Sequence, residues 1–195
     1  MKDAQKFAEF FHNMSAINRF SQFRLVNPES VLEHTGMVAI TTMILCDMAQ
    51  VPTSTAYLAL RHALAHDVDE ILTGDISMPT KYASKASEDA LRDVARSNMA
   101  IICVEYDLNI FNDWDSSNHA SHHTIVKLAD VLAVFYKAYQ EIDMFSNRTM
   151  IDAIQQLLPA IMRRHAAFIE HFPDALSVTD LCEDVCESTR YLKGA

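Results

Sequence analysis

A histidine followed directly by an aspartate, His66-Asp67, lies in the run Ala63-Leu64-Ala65-His66-Asp67-Val68-Asp69-Glu70-Ile71-Leu72-Thr73-Gly74-Asp75. An adjacent imidazole and carboxylate can both turn toward one divalent cation. Two further donors lie far off in sequence, His34 in Val31-Leu32-Glu33-His34 and Asp130 in Lys127-Leu128-Ala129-Asp130. Two imidazoles and two carboxylates suit a divalent transition metal such as cobalt, manganese or zinc, with magnesium as the harder alternative. Four protein ligands leave room for water on an octahedral ion, and such water becomes a better nucleophile toward a phosphoester. Taken singly, these positions say little, because a lone His or Asp on a half-apolar helix is more often a hydrogen-bonded structural residue. Asp130 weighs more. Ala129, Val131 and Leu132 surround it with apolar sequence, where a carboxylate is costly unless paired or bound to metal.

Helices must position these groups. Phe7, Phe10, Phe11 and Met14 recur at helical spacing, predicting an amphipathic helix over 3–14. A polar-aromatic connection, Asn18 to Arg24, follows. Ser30 reads as the N-cap of a long helix to about Ala49, with His34 in its first turns. Ser54 is expected to cap the next helix, which leads to His66. A loop should follow Leu72. Ser84 or Ser87 should start a helix through Ile102, and 109–118 reads as a loop. Ser121 should open a helix that carries Asp130. The last long helix spans about 147–172 with Pro159 inside it, and a short one covers 178–192. Strand-like alternation is absent. The expected fold is all-α, a single-domain helical bundle over 1–195.

Composition agrees. Only 3 glycines and 5 prolines occur among 195 residues, too few for a turn-rich β protein. Half the residues are hydrophobic, enough for a sizeable core. A net charge of −10 argues against a nucleic-acid polymer as partner, since that needs a broad basic face. No stretch reaches the roughly 18 apolar residues of a membrane span, and nothing near the N-terminus reads as a signal peptide. The four cysteines (Cys46, Cys103, Cys182, Cys186) sit in apolar helical sequence and read as reduced and buried, in a cytoplasmic protein.

In its motifs the chain resembles the HD-domain phosphohydrolases, more narrowly the small bacterial 5′-deoxynucleotidases and the related phage deoxynucleoside triphosphohydrolases. The matching pieces are Ile17-Asn18-Arg19-Phe20, Glu33-His34, the block from His66 to Asp75, Pro79-Thr80-Lys81-Tyr82 and Lys127-Leu128-Ala129-Asp130. They keep the family's order over residues 5–145. The resemblance implies an HD-type bundle in a bacterial or phage-infected cell, acting on deoxynucleotides and assembling as a homo-oligomer. It implies His34, His66, Asp67 and Asp130 as metal ligands and Glu70 as the catalytic acid. It places Asp75 against the sugar, Arg19 and Lys81 against phosphate, and Phe20 and Pro79 on the two sides of the base. Gln22 either reads a base edge or faces water.

Physical chemistry supports several of these roles. A carboxylate three residues past Asp67 could orient water or protonate a leaving oxygen. The arginine fork suits bidentate anion contacts. Each also has a plainer reading: a solvated Glu70, a core Phe20, an Asp75 that serves the turn.

The resemblance leaves two reactions open, release of phosphate from a deoxynucleoside monophosphate or of triphosphate from a deoxynucleoside triphosphate. The monophosphate reaction is the leading expectation. Lys85 bears on the choice. Four residues after Lys81, it would share a helix face with it and could hold outer phosphates, or it is a surface residue at a helix start. Two other classes compete, a non-catalytic nucleotide-binding module and a two-metal cyclic-nucleotide phosphodiesterase. The second would draw on His119, His122 or His123, otherwise read as solvated. His62, four before His66, reads as a structural histidine.

Overall fold

The computed structural model describes residues 4–81, 83–109 and 121–191. Among these the regular elements are helices: α1 (Ala4–Ala16), α2 (Val31–Met48), α3 (Thr53–Ala65), the single turns α4 (Glu70–Thr73) and α5 (Met78–Lys81), α6 (Lys85–Glu105), α7 (Ser121–Phe145), α8 (Met150–Ile169) and α9 (Leu176–Tyr191). The expected loop at 109–118 falls almost wholly outside the described residues, as does His119.

Local chemistry sets the helix starts. Ser30 caps α2 as expected: its hydroxyl accepts from the Glu33 N–H, and the Glu33 carboxylate accepts from the Ser30 N–H at 2.7 Å. This box fixes the first turn of α2, where His34 sits. Ser84, rather than Ser87, caps α6. At α3 the expected Ser54 cap is not used. The helix begins at Thr53, two residues earlier than a Ser54 cap implies, behind Pro52, whose φ of −54° is already near helical. Helix α8 starts at Met150 instead of about 147, because Asn147 turns its amide to the Arg24 carbonyl and the Glu141 carboxylate. The helix runs on through Pro159. The predicted loop after Leu72 is tighter than expected. α4 closes at Gly74, whose φ of 72° lies in the left-handed region that glycine adopts without strain.

Helix α7 lies at the centre, packed on α8, α2 and α3. Its buried residues include Ile125, Leu128, Val131, Leu132 and Phe135, which cover more than one face, as a core helix requires. Truncating one of them, for example Leu128→Ala, would cost about 2–5 kcal/mol. The main core joins these to Val38 and Leu45 of α2 and to Ile154, Leu157, Ile161 and Phe168 of α8. The apolar stretch of α8 therefore serves the core. A second, smaller cluster joins Phe10 and Met14 of α1 to Met99, Ile102 and Tyr106. Among the described residues, helix α2 alone is long and apolar enough to cross a membrane by length and composition, but here it packs on α7, α3 and α1. Cys46 and Cys182 are buried, and Cys103 and Cys186 are half-buried.

Between α1 and α2, residues 17–30 form an irregular strap. Its two ends are tied by Arg19 N–H to the Glu29 carbonyl at 2.8 Å and Val31 N–H to the Ile17 carbonyl at 2.9 Å. Its middle is held by α7. The Glu141 carboxylate accepts the Val26 and Asn27 N–H groups at 2.8 and 2.9 Å, and Lys137 donates to the Asn27 carbonyl.

Candidate active site

Three turns of chain bring the predicted donors together. His34 comes from the first turn of α2, His66 is the C-cap of α3, Asp67 follows it, and Asp130 lies on α7. Donor atoms of His34, His66 and Asp67 all lie within 4.8 Å of one another. Asp130 joins this group at His34, its Oδ1 3.1 Å from His34 Nε2. Asp67 Oδ2 is the hub: His66 Nε2 lies 3.1 Å away and His34 Nε2 3.8 Å away, and Arg19 Nη1 donates to it at 2.8 Å.

The imidazole orientations are informative. His66 Nδ1 lies 2.7 Å from the Ala63 carbonyl. A carbonyl only accepts, so Nδ1 carries the proton and Nε2 faces the cluster. His34 is fully buried and likewise turns Nε2 toward the carboxylates.

Charges are strongly shifted. Burial raises a carboxyl, but His66, Arg19 and Lys81 outweigh it at Asp67, which stays well below the usual range. Asp130 is held low against burial by its hydrogen bond to His34. Burial lowers His34, helped by the Arg19 guanidinium. At His66 burial is outweighed by the Asp67 charge, which raises it. Glu70 behaves oppositely to the aspartates. Burial, then the charge of Asp67, pushes it up to about 8 despite Lys81 and Arg19. Its Oε1 accepts from Lys81 Nζ at 3.0 Å, while its buried Oε2 has no hydrogen-bond partner among the described residues.

His66, Asp67, Glu70 and Asp130 line a cavity of about 900 Å³, within the size range of small-molecule sites, with fully buried His34 behind them. Arg19, Phe20, Gln22, Asp75, Pro79 and Lys81 line it too. Phe20 holds a φ of 58° and packs partly on the core, edge-on to Phe23. It therefore packs on the core and still borders the cavity. Gln22 donates to the Ser77 hydroxyl at 2.9 Å.

Lys85 is elsewhere. It is not among the cavity-lining residues, its side chain is 70% exposed, and it pairs with Asp89 at 2.9 Å. Lys81 ends α5, Lys85 starts α6, and extended Ser84 lies between them, so the shared helix face does not form.

Other cations line the cavity: Lys127 of α7, which opens the Asp130 motif but is assigned no role there by the resemblance, and Arg163 and Arg164 of α8, which no motif announces; none has an ion pair among the described residues. His122 and His123, expected to be solvated, are half-buried, while His62 is structural as expected. His62 is buried, with the rings of His123 and His122 at 4.9 and 5.9 Å, because the end of α3 packs on the start of α7. Burial, then His123 and Lys127, drives His62 down to about 2, so its ring is neutral. Glu29 is the other residue that sequence reasoning passed over. It is 5% exposed, beside Arg19 and His34, and burial raises it to about 7. It stands just before the capping Ser30 and belongs to no motif piece that the sequence displays.

A model of the YfbR-like 5′-deoxynucleotidase family matches residues 6–178. A 5′-deoxynucleotidase of Cronobacter sakazakii is 28% identical over 175 residues, covering 85% of this chain and 87% of the relative. The 5′-deoxynucleotidase YfbR of Salmonella paratyphi B is 30% identical over 159 residues, covering 75% of this chain and 77% of the relative. Among solved structures, the cyanophage S-2L HD phosphohydrolase DatZ, bound to dA and one catalytic Zn2+ ion, superposes with a TM-score of 0.63 at 16% identity, covering all of this chain and 99% of that one. That likeness shows a shared HD-type fold. The chain belongs to the YfbR-like 5′-deoxynucleotidase family.

Proposed function

We propose that this member of the YfbR-like 5′-deoxynucleotidase family hydrolyses the 5′-phosphoester of 2′-deoxynucleoside monophosphates, with one divalent ion held by His34, His66, Asp67 and Asp130. The observation that carries this reading is the convergence of those side chains beside Glu70 in a cavity edged by Arg19 and Lys81. The donor set fits a divalent ion: imidazole nitrogens and carboxylate oxygens face one another, with Asp67 and Asp130 held ionised. Zinc, cobalt and manganese all suit it. Such an ion supplies an activated water and takes up charge on a phosphoryl oxygen.

The chain's own groups divide the remaining work. Arg19 holds phosphoryl oxygens with its fork. Phe20 and Pro79 flank the base, Asp75 meets the sugar, and Gln22, tied to Ser77, stands at the rim on the base side. Glu70, protonated near neutrality, gives its proton to the departing 5′ oxygen as water oxygen bonds to phosphorus and the P–O5′ bond breaks. The products are deoxynucleoside and inorganic phosphate. Lys81 orients Glu70 through its bond to Oε1.

One observation favours a second substrate. Lys127, Arg163 and Arg164 put unpaired positive charge on the cavity wall in a chain of net charge −10. They would suit the outer phosphates of a deoxynucleoside triphosphate, whereas Lys85 does not line the cavity. Product analysis decides between the two. Purified protein with zinc, manganese or cobalt should release deoxynucleoside and phosphate from dNMPs. Triphosphate release from dNTPs alone would favour the second substrate, and no turnover of either would refute both.

A further inference from the structure

Both ligand histidines point Nε2 at the cluster, and each needs its Nδ1 fixed for that lone pair to be available. For His66 the Ala63 carbonyl does this at 2.7 Å. For His34 the atom facing Nδ1 is Glu29 Oε2 at 3.8 Å, and the same oxygen lies 3.5 Å from Arg19 Nε. Among the described residues these three buried atoms, Arg19 Nε, Glu29 Oε2 and His34 Nδ1, lack hydrogen-bond partners. Two donors thus stand around one acceptor, each a few tenths of an ångström beyond bonding distance. Glu29 cannot drift out to solvent. It is 5% exposed, its carbonyl is bound by the Arg19 N–H, and the next residue is the α2 cap.

We propose that Glu29 is a positioning residue, which accepts the Nδ1–H of His34 and the Nε–H of Arg19 so that one imidazole faces the metal and one guanidinium edge faces the phosphate. This rests on the function proposed above. Metal-binding histidines commonly hand their second N–H to a carboxylate, which orients the ring and raises its basicity. Glu29 supplies that carboxylate from the strap and couples it to the phosphate-binding arginine. Arg19 Nη1 is at present turned to Asp67. Anchoring Nε on Glu29 keeps the guanidinium in place when Asp67 is engaged by an ion.

The test uses the full-length protein and zinc alone as first probe. Calorimetric titration of Glu29→Gln should show zinc affinity weakened about 10- to 100-fold, and KM for a dNMP should rise more than kcat falls. In the zinc-loaded wild type, nitrogen NMR should find His34 protonated at Nδ1, a readout that does not depend on any variant folding. Zinc affinity and KM like wild type in Glu29→Gln, or His34 protonated at Nε2, would overturn the proposal. So would a variant that is merely less stable to denaturant. If the wild type binds zinc but hydrolyses no deoxynucleotide, the proposed function fails, while the zinc and NMR measurements still decide the role of Glu29.

Discussion

Helix α7 supports two buried polar clusters, one around Asp130 and one around Lys137 and Glu141, and they are finished to different degrees. At the second, every group is matched. Glu141 is wholly buried and takes four donors: the N–H groups of Val26 and Asn27, the Asn147 amide, and Lys137 at 3.3 Å. At the first, Arg19 Nε, Glu29 Oε2, His34 Nδ1 and Glu70 Oε2 are buried without hydrogen-bond partners among the described residues. A matched network specifies one conformation of the strap. An unmatched one is costly in a folded protein unless something else completes it. The same helix therefore carries a lock that holds residues 17–30 in place and a set of groups arranged for what enters the cavity.

The contrast can be broken most sharply on the unmatched side. Asp67→Ala should abolish metal binding in a titration, whereas Glu70→Gln should retain it and lower kcat by about 10²- to 10⁴-fold. Equal loss of metal in both would erase the division between ligand and acid. On the matched side, Glu141→Ala strands Lys137 in a buried setting and should cost about 3–5 kcal/mol in denaturant unfolding, with zinc stoichiometry unchanged at one per chain. A variant as stable as wild type would mean the lock is idle.

The pH dependence sharpens the same point at smaller amplitude. Burial raises the Glu141 carboxyl, but the bonds from Asn147, Val26 and Asn27 outweigh it and leave it below its usual 4.5. Its contribution is therefore complete above about pH 4.5 and lost as pH falls through the lowered value. Acid unfolding of Glu141→Gln should show a shallower slope there than wild type, and identical slopes would exclude Glu141 as the source. Smallest of all, Lys85→Ala should leave KM unchanged for both mono- and triphosphates, since Lys85 lies away from the cavity. A raised KM for triphosphate would return it to the site.

What the sequence displayed and what it hid follow a physical line. The N-cap at Ser30 is local, so it could be read directly. His66-Asp67 and Glu70 stand within one turn of each other, and the surrounding block carried the resemblance. His34 was legible only as part of that pattern, Asp130 also by its apolar neighbours, and the structure brings their side chains to 3.1 Å. The lock was invisible, because Glu141 bonds backbone groups 114 and 115 residues earlier, and no local rule announces such a pairing. Lys127, Arg163 and Arg164 share a wall only through the packing of α7 on α8. Lys85 shows the reverse error. A spacing of four means one face only if the helix is continuous, and here it is interrupted.

The central claim is that side chains of α2, the α3 C-cap and α7 share a single ion. Anomalous diffraction at the zinc edge, from crystals of the zinc-loaded protein, tests it most directly. The account predicts one strong peak among His34, His66, Asp67 and Asp130. A peak centred on His62, His122 and His123, or no peak near His66 and Asp67, would contradict it.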